Sequence, residues 1–269
     1  MLYSIILSSA ALATTVSAAC DRAMLEEAAA AYVKAQAGGD PSLLPLADDF
    51  KYIENDAEVD IKDGVLSKAV TIDLDRSIYD TTECIAFTEL SAATNSEPYV
   101  IDTRLVFTDD KITSIESIVA HEGDWAFNAA GHLRWATQEK WDPIPEAQRD
   151  TREVIQAAGD AYLDSWGDGS VSVPYGTPCA RLEGGIYTGQ SNANGNTCKM
   201  PEFPKPFSAG NRRYVIDEEL GAVDIFNDFP FIDKTRPDGT PSTNFLRVEG
   251  GKIRYIHETT VCGTKNCGR

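Results

Sequence analysis

The sequence predicts an α+β protein made of two copies of one unit, each a helix laid over a curved antiparallel sheet. Three observations carry the prediction. Residues 245–262, FLRVEGGKIRYIHETTVC, and residues 104–121, RLVFTDDKITSIESIVAH, share one plan: an alternating apolar run, a two-residue turn, Lys-Ile and a second alternating run. Each is a β-hairpin signal. Residues 25–40, LEEAAAAYVKAQAGGD, and 154–170, VIQAAGDAYLDSWGDGS, are Ala-rich amphipathic helix patterns that place Tyr32 and Tyr162 alike and end in a glycine stop. Between helix and hairpin, FKYIEN at 50–55 answers CARLEGG at 179–185 with Glu54 and Glu183 in register. TIDLD at 71–75 likewise answers VIDEE at 215–219, each opening a long strand-rich stretch. The offset is about 130 residues early and 141–144 late. The difference lies in a polar, Gly/Asn/Pro-rich insertion around 187–210, an ordered loop pinned by Cys198.

Taken in order, residues 1–19, MLYSIILSSAALATTVSAA, are an apolar run ending in the small residues Ser17, Ala18 and Ala19 before Cys20. This reads as a cleaved secretory signal, and the protein as secreted or resident in the secretory lumen. No later run is long and apolar enough for a membrane span. The first unit covers 20–121, a bridge 122–150 and the second unit 151–269. The bridge holds three of the four tryptophans, Trp125, Trp135 and Trp141. HLRWATQEKW has helical spacing before DPIPE breaks it. A flexible linker would be polar; an aromatic one packs across both units and locks their pairing within one chain. The six cysteines fit three disulfides in an oxidising compartment. Sequence allows 15 pairings; Cys20–Cys84, Cys179–Cys198 and Cys262–Cys267 are chosen because each joins residues of one region. No cysteine spacing matches a zinc site, so neither metal nor cofactor is expected. The net charge of −18 repels phosphate backbones and excludes nucleic acid as a partner.

The Ala-rich helix and the hairpins EGGKIRYIHETTV and TDDKITSIESIVA resemble the NTF2-like family shared by ketosteroid isomerase, SnoaL-type cyclases and scytalone dehydratase. The whole chain, signal included, is similar to secreted fungal proteins with tandem NTF2-like halves, mostly of unknown function, and in layout to fungal natural-product cyclases. The resemblance implies two fused cones paired as in a dimer, each with a pocket between helix and sheet. It further implies cofactor-free proton transfer by a carboxylate or histidine in an apolar interior. The family's Asp/Tyr and His/Asp catalytic patterns do not map residue by residue onto this chain.

The second copy is the richer in chemistry. RRYVIDEELGAVDIFNDFPFID alternates the acids Asp217, Glu219, Asp224 and Asp228 with Tyr214, Phe226, Phe229 and Phe231, and strict alternation puts Tyr255 and His257 on one face of the hairpin. Asp217 with His257 would move a proton α to a carbonyl, and Arg247 would hold the resulting oxyanion. Tyr162, Tyr214, Asp224, Phe226 and Tyr255 would line the substrate pocket. Each of these residues also has a plain alternative, a salt bridge or a solvent-facing position. The first copy has Asp73, Asp75, Arg76, Glu83, Asp102 and Arg104, but Glu116 and Ser117 where the second has His257 and Glu258. It is read as architectural. His121 and His132 flank the bridge, where packed or surface roles are expected. There is no G-x-S-x-G, H-E-x-x-H, P-loop or G-x-G-x-x-G motif. Two functions remain. One is an isomerase, cyclase or dehydratase acting on a small apolar or anionic polyketide- or terpenoid-like metabolite. The other is a non-catalytic secreted protein that binds a small ligand or a partner.

Overall fold

Asp21 stands ahead of the first alanine-rich run, and its carboxylate accepts the Met24 backbone N–H at 2.9 Å, a contact that starts a helix. In the computed structural model, which describes residues 20–201, 203 and 206–268, this helix is α1 (Arg22–Gly38), closed by Gly39 in the left-handed region at φ 62°. The secretory-signal reading concerns residues 1–19, outside the described residues. Strands β1 (Leu46–Glu54), β2 (Ala57–Glu58), β3 (Leu74–Asp80), β4 (Ile85–Ala92), β5 (Tyr99–Thr108) and β6 (Lys111–Ala120) follow. They form one sheet in the order β2-β1-β6-β5-β4-β3.

The bridge supplies a short helix, α2 (Ala129–Ala136). The second unit repeats the first: α3 (Arg152–Gly167), then β7 (Tyr175–Glu183), β8 (Ile186–Tyr187), β9 (Arg213–Asp217), β10 (Ala222–Phe229), β11 (Thr240–Glu249) and β12 (Lys252–Thr260). Its sheet order, β8-β7-β12-β11-β10-β9, is that of the first unit strand for strand. The chain is thus α+β with two similar units. The sheets are mixed rather than wholly antiparallel, because β1 runs parallel to β6 and β7 parallel to β12.

Register makes the duplication concrete. Glu54 pairs with Ser117 as Glu183 pairs with Glu258, so the match of Glu54 with Glu183 holds. The match of TIDLD with VIDEE does not. Ile78, Phe87, Arg104 and Glu116 form one cross-strand row, and Val215, Asp224, Phe245 and His257 the corresponding one. Asp217 therefore corresponds to Asp80, not to Asp73.

Each sheet buries both faces. On one, α1 lays Leu25, Ala29, Tyr32 and Ala35 against Leu90, Ile101, Leu105 and Ile115; on its counterpart, α3 lays Ile155, Tyr162, Leu163 and Trp166 against Val223, Ile225, Leu246 and Ile256. The remaining two faces meet each other: Ile78, Phe87 and Ile118 pack on Val215, Ala222, Phe226 and Phe245, with Phe87 and Phe245 ring centres 4.9 Å apart. The bridge binds this interface from outside. Trp141 stacks on Phe245 at 4.4 Å, Trp135 on Tyr187 at 4.6 Å, and Arg76 lies over Trp141. The predicted helix over 132–141 is shorter than expected, ending at Ala136 so that the chain can turn Trp141 inward.

The disulfides are Cys20–Cys84, Cys179–Cys198 and Cys262–Cys267, and the second pins the 187–210 loop to β7 as expected. Three disulfides suit an extracellular or secretory-pathway protein. Among the described residues no helix is long and apolar enough to cross a membrane.

Candidate active site

Alternation along β12 sends Ile256, Glu258 and Thr260 to the face that α3 covers, and Tyr255 and His257 to the face that meets the first unit. Glu258 thereby enters the interior of the second unit, 1% exposed. Its neighbours arrive from three elements. Glu183 is its partner on β7, Asn244 its partner on β11, and Tyr162 descends from α3. Beside them opens a cavity of about 360 Å³ lined by Trp125, Met200, Phe203, Phe229, Phe231 and Ile232, with Arg181, Glu183 and Glu258 as its charged groups.

The polar groups here are only partly satisfied. Thr260 Oγ1 donates to Glu258 Oε1 at 3.1 Å, and Arg181 Nη1 meets Glu183 Oε1 at 2.5 Å. Arg181 also touches the Met200 sulfur. Among the described residues, the Tyr162 hydroxyl lies fully buried beside the Arg181 guanidinium without a well-formed hydrogen bond, and the indole N–H groups of Trp125 and Trp166 have no partner. Buried donors of this kind are costly unless a ligand or water meets them. Burial, reinforced by Glu183 and opposed by Arg181, pushes the Glu258 carboxyl up to about 8, so it is largely a neutral acid at pH 7.

The first unit has the same frame with the chemistry removed. Ser117 replaces Glu258, and Tyr32, Thr103 and Ser117 form a closed hydroxyl chain at 2.7 and 2.8 Å. The Tyr52 hydroxyl donates to Glu54, which also accepts the Val65 N–H.

The residues singled out from sequence divide between the two faces of the second sheet. Tyr162 is fully buried beside Arg181, which lines the cavity, but is not part of the lining itself. Tyr214 shares its face but is engaged elsewhere, donating to Asp160 at 2.7 Å. Asp217, Asp224, Phe226, Arg247, Tyr255 and His257 all lie on the opposite face. Asp217 is a clamp: it pairs with Arg22 at 3.0 Å and accepts the Tyr79 N–H. Arg247 spends its guanidinium on the Leu220 and Asp142 carbonyls and on Glu249. Phe226 packs under Arg104 and Arg213, and Tyr255 lies along Trp141. Asp224 takes a hydrogen bond from Thr243, its carboxyl pushed up by burial. The proposed Asp217–His257 couple does not form, since β10 and β11 stand between their strands.

His257 instead sits between the units. Its Nδ1 is 2.6 Å from Glu89 Oε1 and its Nε2 2.7 Å from Glu139 Oε2. Burial alone would lower its pKa, but the two carboxylates outweigh that and raise it to about 10. His132, also buried, places Nε2 3.3 Å from the same Glu89 oxygen, whereas His121 is exposed and lies 3.5 Å from Asp124.

Sequence reasoning missed Arg181, Glu89 and Glu139, and noted Glu183 and Glu258 only as register marks. For Glu258 no signal existed: in KIRYIHETT its two-residue phase also holds Lys252, Arg254 and Thr260, with Ile256 the one apolar residue, so the pattern reads as a polar register.

A family model described only as a domain of unknown function, DUF8021, matches residues 148–260. That span runs from just before α3 to the end of β12, one unit and less than half the chain. No curated protein and no solved structure matches.

Proposed function

We propose that both halves are NTF2-like cones and that the second is a cofactor-free acid–base site for a small, largely apolar metabolite of polyketide or terpenoid type, working as an isomerase, cyclase or dehydratase. The observation that carries the reading is Glu258, an acid without a basic partner of its own, buried at the wall of an aromatic cavity. An environment that keeps a carboxyl neutral near pH 7 also readies it to give a proton to a developing enolate or leaving hydroxyl, and to take one back. The Arg181 guanidinium at the cavity wall supplies donors for an oxyanion, with the Tyr162 hydroxyl behind it. The apolar lining excludes water and selects ligands by shape.

The aromatic share of the lining favours a second reading, a secreted carrier that holds the same class of molecule without changing it. One experiment separates the two. Small-molecule profiles are compared among cultures carrying the wild-type gene, a deletion and Glu258→Gln. The enzyme reading expects the deletion and Glu258→Gln to share one lost product and one accumulated precursor. A profile changed by deletion but restored by Glu258→Gln assigns a carrier. A profile unchanged by deletion sinks both for metabolites of the producing cell.

A further inference from the structure

The space between the sheets holds a second group of chemistry-bearing side chains, on the face of β12 turned away from Glu258. Glu89 on β4, His132 on α2 and His257 on β12 each direct one ligand atom to a common point, and these atoms lie within 4.8 Å of one another. All three residues are 2% exposed or less. Two imidazoles and a carboxylate are a donor set suited to first-row divalent ions.

The same groups that make ion pairs here also have outer contacts of the kind that orient ligands. His257 turns its second nitrogen onto Glu139, at 2.7 Å, and the Trp141 indole N–H holds that same Glu139 oxygen at 3.0 Å. Arg76 donates to the other oxygen of Glu89 at 2.9 Å. Metal-binding histidines and carboxylates are oriented by outer contacts of this kind. Two further observations point to a missing partner. Among the described residues, His132 Nδ1 is buried without a partner, and Asp102, directly across from Glu89 on β5, is 1% exposed with neither oxygen in a well-formed hydrogen bond.

We propose that Glu89, His132 and His257 bind one first-row divalent metal ion between the two units, with Glu139 and Arg76 as outer partners and Asp102 as an adjoining carboxylate. The 2.6 Å between His257 Nδ1 and Glu89 Oε1 is a hydrogen-bond separation. Ligand atoms each about 2.0 Å from a tetrahedral ion stand roughly 3.3 Å apart, an opening that small side-chain rotations supply. The ligands come from both units and from the bridge, so the ion would tie together three segments distant in sequence. No cysteine spacing announces this site, because no ligand is a cysteine and no two are neighbours in the chain.

The test is metal analysis of the full chain, purified without a metal-affinity step, followed by Co²⁺ titration of chelator-treated protein read from its visible absorption. The expected result is one equivalent bound per chain, with affinity at least tenfold weaker in His132→Gln, which leaves the His257–Glu89 contact in place. Glu139→Gln, altering only an outer contact, should weaken binding about tenfold to hundredfold; it supplies the comparison if circular dichroism shows His132→Gln unfolded. Absence of binding in the wild-type protein, or binding that survives these substitutions undiminished, overturns the proposal.

Discussion

At the residue scale, two neighbours on one strand have unrelated roles. His257 faces the first unit and Glu258 the interior of the second, and a strand's two-residue period alone separates them. Glu258 has a pH signature that can be measured without a substrate. Its folded-state pKa of about 8 lies above the ordinary carboxyl value. The folded protein therefore binds the extra proton, and the stabilisation is complete below about pH 4 and lost as pH rises through about 8. Relative to Glu258→Gln, the wild-type protein should lose about 1 kcal/mol of stability per pH unit across that window. Urea melts of both proteins at pH 5, 6.5 and 8 check this, and parallel lines would refute it. Should the site be an enzyme with Glu258 as acid, turnover also falls above pH 8.

At the element scale, the first helical residue of each unit reaches across to the other. Arg152, at the start of α3, binds Asp80 of β3 through both terminal guanidinium nitrogens at 2.7 and 2.8 Å, while Asp80 also accepts the Ile216 N–H. Arg22, at the start of α1, binds Asp217 of β9, which accepts the Tyr79 N–H. The two clamps are copies of one contact, swapped between units as in an isologous dimer interface. Removing one partner leaves a buried carboxylate exposed to nothing but protein, so Arg152→Ala should cost roughly 3 kcal/mol. Arg22→Ala should cost somewhat less, its bond to Asp217 being single. Asp217→Asn should act on stability and leave the chemistry of the second unit unchanged; thermal melts beside ligand binding distinguish these effects. This reciprocal geometry also explains why alternating acids misled the strand alignment. Asp73 and Asp80 both follow apolar residues, and the strand register together with the cross-unit contact shows that Asp80 matches Asp217.

At the scale of the whole molecule, the inter-unit core leaves each half incomplete. Residues 151–269 expressed alone would expose Val215, Phe226 and Phe245 together with His257 and Asp224. That half should self-associate or fail to fold, whereas the full chain should sediment as a species whose halves melt together. A monomeric, cooperatively folded second half would show the interface to be dispensable. The units fill this frame differently: the first links Tyr32, Thr103 and Ser117 by hydrogen bonds, and the second has a cavity beside Glu258.

What the sequence determined by itself was local and periodic. Hairpin turns, helix caps, the aromatic bridge and the grouping of cysteines by region are set by neighbours in the chain, and from them followed the α+β class, the duplication and the disulfides. Tyr162 was legible as a buried residue for the same reason, lying on the apolar face of a helix. The tertiary structure alone decided which face of each strand meets a helix and which meets the other unit. An alternating strand buried on both sides carries polar residues on both, so the pattern cannot tell an interface acid such as Asp217 from an interior one such as Glu258. Glu89, His132, Glu139 and His257 are brought together by the pairing of the units, which no stretch of sequence encodes locally.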